Sequence, residues 1–86
     1  RPAVLAELGS CYVRSGNLLK GVRCFRQAIE AEPRFASGHL QLAQASFDLG
    51  DLVTAADEAR AALRLKPDSK AARELLEKIE GKTAGQ

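Results

Sequence analysis

The chain has 86 residues, 45% of them hydrophobic and 28% charged, with a formal net charge of +2. A chain this short suits one small domain that buries about 60% of the surface its unfolded form exposes. Its nearly balanced, interspersed charge argues against a nucleic-acid or anionic-membrane binder.

No apolar run reaches the length of a membrane span, and no signal peptide is visible. The compartment is therefore left at a cytoplasmic default. The first residue is Arg1 rather than a methionine, and the expectation is a piece of a longer protein. Ala and Leu dominate the apolar set and aromatics make up 5%, which favours helix over strand.

In chain order, apolar spacing and punctuation predict helices at about 2–15, 18–31, 36–49, 52–65 and 69–80. Gly16 ends the first helix and Gly50 the third, each suited to the left-handed position beyond a helix C-terminus. Asn17 and Asp51 follow, each able to cap the next helix. Pro33 and Pro67 stop the second and fourth helices and bias the residue before them away from helical geometry. Asp68 is the expected cap of the last helix. In that helix Ala72, Leu75, Leu76 and Ile79 share one face, with Arg73, Glu74, Glu77, Lys78 and Glu80 turned to water. Residues 81–86 are small and polar and are expected to fray.

The punctuation repeats. Pro33 and Pro67 lie 34 residues apart, and so do Gly16 and Gly50, Leu8 and Leu42, Leu18 and Leu52, Arg26 and Arg60, and Ala28 and Ala62. Within the first unit Leu8, Gly9 and Tyr12 form L-G-x2-Y, followed by Gly21, Phe25, Ala28 and Pro33. The second unit answers with His39, Leu42, Ala43, Ser46, Ala55, Ala59, Ala62 and Pro67. Fixed periodicity of this kind marks a repeat architecture. The pattern over residues 2–80 resembles the tetratricopeptide repeat family.

That resemblance implies an all-α fold: a right-handed superhelical stack of antiparallel helix pairs, five helices in all. Unit 1 spans 1–35, unit 2 spans 36–69, and residues 70–80 form a capping helix that ends the stack soluble. Gly9 and its counterpart Ala43 are expected where the two helices of a unit cross closely, with Leu8 and Tyr12 as packing residues. The upstream end has no comparable cap, so further repeats or another domain are expected before it.

Nothing in the sequence assembles catalysis. His39 is the only histidine; it has no partner at ligand spacing and occupies a packing place, so a structural role is expected. Cys11 beside Tyr12 is expected in the core, with Cys24 the more exposed thiol. Ser10 and Ser46 have no histidine partner, and Gly16, Gly21, Gly38 and Gly50 are too dispersed for a phosphate-binding loop. Neither an enzyme, a cofactor nor a metal site is expected.

The family resemblance implies protein–protein recognition on a concave face lined by the first helix of each unit. Helical spacing places Ala3, Ala6, Glu7, Ser10, Val13 and Arg14 there from the first unit, and Ser37, Leu40, Gln41, Gln44, Phe47 and Asp48 from the second. The expected contact set is Glu7, Ser10, Val13, Arg14, Leu40, Gln41, Gln44, Phe47 and Asp48, facing a protein or peptide partner. One subclass of the family holds a chaperone's C-terminal carboxylate with Lys, Asn and Arg. The corresponding places here are Ala6, Ser10, Gln41, Ala71 and Leu75, which argues against that ligand. The alternative is a structural spacer or self-association through the uncapped N-terminal end. RNA reading by a related helical repeat is disfavoured by the L-G-x2-Y match and the near-neutral charge.

Overall fold

A computed structural model, described over residues 1–84, forms five α-helices: α1 (Pro2–Arg14), α2 (Leu18–Ala31), α3 (Ala36–Leu49), α4 (Leu52–Leu65) and α5 (Lys70–Ala84). Loops of two to four residues join them. Connections that short force each helix to run antiparallel to its neighbour. α1 packs on α2 and α3 on α4, α2 bridges to α3, and α5 closes on α4. The result is an all-α solenoid fragment.

Local chemistry sets the helix ends. Gly16 and Gly50 adopt φ of +88° and +87°, the left-handed geometry open to glycine. One residue later Asn17 accepts from the Lys20 backbone N–H and Asp51 from that of Thr54, each at 3.2 Å. Before each later proline, Glu32 and Lys66 both leave helical geometry at φ −139°, as the steric demand of the proline ring requires. At α5 the cap is Ser69 rather than the expected Asp68: the Ser69 hydroxyl accepts from the Ala72 N–H at 3.2 Å. α5 also runs on to Ala84, so residues 81–84 of the expected tail are helical. The rest of that tail lies outside the described residues.

Two apolar clusters hold the stack. Ala6, Phe25, Leu42 and Ala45 join α1, α2 and α3, with Val13, Val22, Ile29 and Phe35 packed around them. Ala43, Ala55, Ala59, Leu75 and Ile79 join α3, α4 and α5. The second cluster is built largely of alanine, so its helix backbones approach closely.

Gly9 has the role expected of it. A Cβ there would stand 2.6 Å from Phe25 Cε1, and Phe25 is only 2% exposed. The ring lies flat against the α1 backbone. Leu8 departs from expectation. Its counterpart Leu42 is fully buried beside Phe25, whereas Leu8 is 45% exposed. Leu42 has α2 on its outer side, and no helix among the described residues covers the same side of α1.

His39 also differs from its sequence reading, since it has two partners. Its Nδ1 lies 2.6 Å from Glu58 Oε1 on α4, and its Nε2 lies 2.8 Å from the Pro33 carbonyl oxygen. The imidazole ties α3 to α4 and to the inter-unit loop, a structural task carried by polar contacts.

Two expected outcomes follow. Phe25→Ala costs about 3–5 kcal/mol in denaturant unfolding, as large core truncations do. Gly9→Ala gains about 1 kcal/mol of helix propensity but overpacks the ring at about 1–3 kcal/mol, so it lowers Tm. In the Phe25→Ala background the same change stabilises, because the clash is gone; a Gly9→Ala penalty that persists there disproves the contact.

A further outcome concerns acid stability. Hydrogen bonding from Thr54, side chain first and then backbone N–H, holds the Asp51 carboxyl below its ordinary pKa; desolvation acts the other way, and Arg26 adds the least pull. A carboxylate with a depressed folded pKa stabilises the fold above its unfolded pKa and loses that effect as pH falls through the folded value. Asp51→Asn keeps a capping oxygen without the charge. The Tm advantage of wild type over Asp51→Asn therefore shrinks below about pH 4. A difference that is constant with pH disproves the ionised cap.

Candidate functional site

The groove between α1 and α3 is a face where exposed polar side chains and open space coincide. It exists because α1 and α3 each turn small residues toward one another. Ala6 and Ala45 are buried at 6% and 2% exposure, which lets longer neighbours frame a trough. Across it the Gln41 side-chain N–H donates to Ser10 Oγ at 2.9 Å. The other amide atom of Gln41, Oε1, is buried without a partner among the described residues.

This bridge divides the trough into two hollows. The first, about 390 Å³, is bounded by Ala3, Ala6, Glu7 and Arg14 of α1, with Phe35, Ser37 and Gln41 opposite. The second, about 230 Å³, has Val13, Phe25 and Ala45 as its apolar wall and Arg14, Gln44 and Asp48 on its rim. Ser10, Arg14 and Gln41 line both.

Of the nine residues expected to contact a partner, Glu7, Ser10, Val13, Arg14, Gln41, Gln44 and Asp48 therefore line one trough. Two stand apart. Leu40 lies in a separate hollow with Ala62, Lys66 and Ser69, and it packs on the α3–α4–α5 cluster. Phe47 packs on the same cluster, with the Lys82 ammonium 5.6 Å from its ring centroid. α3 periodicity alone points both at the groove, and the alanine-lined α4 leaves room that these larger side chains fill beside Leu75 and Ile79 of α5. Val13 stays at the trough but is half-buried against the α1–α2–α3 cluster.

Phe35 and Cys11 line the first hollow and were not expected there. The two cysteines exchange the roles expected of them: Cys11 is exposed and Cys24 buried. Cys11 is the counterpart of Ala45, so helical spacing does aim it at the inter-unit surface. On α1 that surface is uncovered. The Arg14 guanidinium donates to Cys11 Sγ at 3.3 Å.

The electrostatics of the trough are mixed. The Asp48 carboxylate accepts from the Gln44 side-chain N–H at 3.1 Å. Arg14 has no carboxylate within ion-pair distance among the described residues. No group of three His, Cys, Asp or Glu side chains able to hold a metal occurs among the described residues, and none of their helices is long and apolar enough to cross a membrane. The places compared with a carboxylate clamp are apolar or already engaged. Ala6 and Leu75 are buried, and Ser10 and Gln41 bond to one another.

Comparison with known proteins follows the geometry. The family model of the tetratricopeptide repeat matches residues 7–70. No curated protein sequence matches the chain. Among solved structures, the first TPR of Spaghetti (RPAP3), bound to the HSP90 peptide SRMEEVD, superposes with a TM-score of 0.95. It is 21% identical, over 98% of this chain and 67% of that one. The NMR structure of the first TPR domain of human RPAP3 gives a TM-score of 0.58 at 19% identity, over 98% and 93% of the two chains. At such identities the likeness is one of fold.

Proposed function

The chain belongs to the tetratricopeptide repeat family, and on that premise we propose that it is a protein-interaction module holding a partner peptide or helix in the α1–α3 trough. The observation that carries this reading is the trough itself. Seven side chains of mixed chemistry, drawn from α1 and α3, line one open trough, crossed by the Gln41–Ser10 bond and edged by the Gln44–Asp48 bond. Its hollows are shallow and joined end to end, which suits a chain segment laid along them better than a compact metabolite.

The similar fold of Spaghetti (RPAP3) holding an HSP90 peptide supports a peptide as the kind of ligand. It does not carry over the terminal-carboxylate clamp, because Ala6, Ser10, Gln41, Ala71 and Leu75 supply no cation to such a group. The paired change Arg14→Glu and Gln44→Glu alters only exposed side chains of the trough. Used as bait beside wild type, it is expected to lose a captured partner at least about tenfold, with unchanged circular dichroism. A partner retained in full by the variant overturns the groove assignment.

A second reading, self-association, is favoured by one observation: Val4 and Leu8 on the outer face of α1 are 59% and 45% exposed. Adjacent apolar exposure of this kind is a feature of interaction surfaces. Light scattering across a concentration series decides it. A mass that rises with concentration in wild type but not in Leu8→Glu supports association through α1; a monomer throughout removes it.

A further inference from the structure

Resting on the groove reading above, we propose that the trough selects an internal peptide segment in which an aliphatic side chain stands next to an acidic one. The aliphatic residue seats in the second hollow and the carboxylate pairs with Arg14. Three observations converge on this occupant.

The first is size and wall chemistry. The hollow of about 230 Å³ falls below the roughly 300–1,000 Å³ usual for small-molecule sites, so it suits one side chain. Val13, Ala45 and Phe25 make its wall, and these are members of the α1–α2–α3 core cluster or packed on it. The wall is therefore preformed. An inserted aliphatic group continues the core outward and displaces water from apolar surface.

The second is charge. Arg14 stands at the junction of both hollows. Its one hydrogen bond among the described residues goes to a thiol, a weak acceptor. A guanidinium presents five donors in a planar fork matched to a carboxylate, and most of that capacity is unspent. Asp48 on the opposite rim, which holds Gln44, and Glu7 in the first hollow both repel an acid, so the acidic residue is directed to Arg14 at the junction.

The third is the bridge. Gln41 Oε1 is a buried acceptor with no donor among the described residues, and Gln41 lines both hollows, where the proposed peptide backbone crosses from one to the other. An unmet acceptor costs free energy that a peptide N–H relieves. A backbone donor of this sort is supplied by any residue in mid-chain, and no terminal carboxylate is required.

A random octapeptide phage library selected on the intact chain tests the proposal, with the same selection on Arg14→Glu. Expected is enrichment of an aliphatic residue adjacent to Asp or Glu on wild type, and replacement of the acid by Lys or Arg on Arg14→Glu. An enriched peptide resynthesised with its aliphatic residue changed to Ala loses about tenfold or more in affinity. Its C-terminal acid and amide forms bind alike. NMR shift mapping places it on Ser10, Val13, Arg14 and Gln41. Three results overturn the inference while leaving the groove reading intact: trough-bound peptides without the aliphatic–acidic pair, peptides unchanged by Arg14→Glu, and dependence on a free C-terminus. Shifts confined to another face overturn the groove reading as well. No enrichment above an empty support overturns the inference.

Discussion

The Phe25 ring against the Gly9 backbone is the contact on which the rest of the molecule depends. Phe25 is the largest fully buried side chain among the described residues, and it reaches α1 only because position 9 has no Cβ. The same ring touches the cluster that brings in Leu42 and Ala45 of α3. One side chain thus sets the spacing within the first unit and between the two units. The trough is a consequence: its apolar wall is the edge of that packing, seen from outside.

The second unit achieves the same approach by other means. Ala43, Ala55 and Ala59 are fully buried, so α3 and α4 meet through small side chains, and α5 supplies Leu75 and Ile79 to complete the cluster. Leu40 and Phe47 pack on this cluster and are half-buried. What α3 turns to the trough is its amide and acid row, Gln41, Gln44 and Asp48. Fold and site are coupled here: core packing around α4 and α5 decides which residues of α3 remain free.

Much of the fold was legible in the sequence because its signals are local. A glycine that must take positive φ, a cap oxygen one residue on, and a proline that bends the residue before it each act within a few bonds. Their 34-residue repetition reports two equivalent units. Two local details were misjudged by a single residue or turn: Ser69 outcompetes Asp68 as a cap, and α5 continues through Gly81 to Ala84. Helical spacing also brought seven of the nine expected groove residues to one trough. The errors share a different cause. Leu8 and Cys11 occupy the same repeat positions as Leu42 and Ala45, yet they are exposed because burial depends on what lies across from a side chain. His39 gained partners from α4 and from the Pro33 carbonyl, neither of which is near it at a spacing that sequence inspection recognises.

By itself, then, the sequence determined five helices, their turns, their pairing and the glycine that permits the tightest crossing, since each rests on backbone sterics and short-range hydrogen bonds. Only the tertiary structure decided which apolar residues are core and which are surface, and which polar atoms meet. It joined Gln41 to Ser10, left Arg14 without an acid among the described residues, and opened the hollow beside Phe25. Those outcomes depend on distances between helices, which no single segment of the chain specifies.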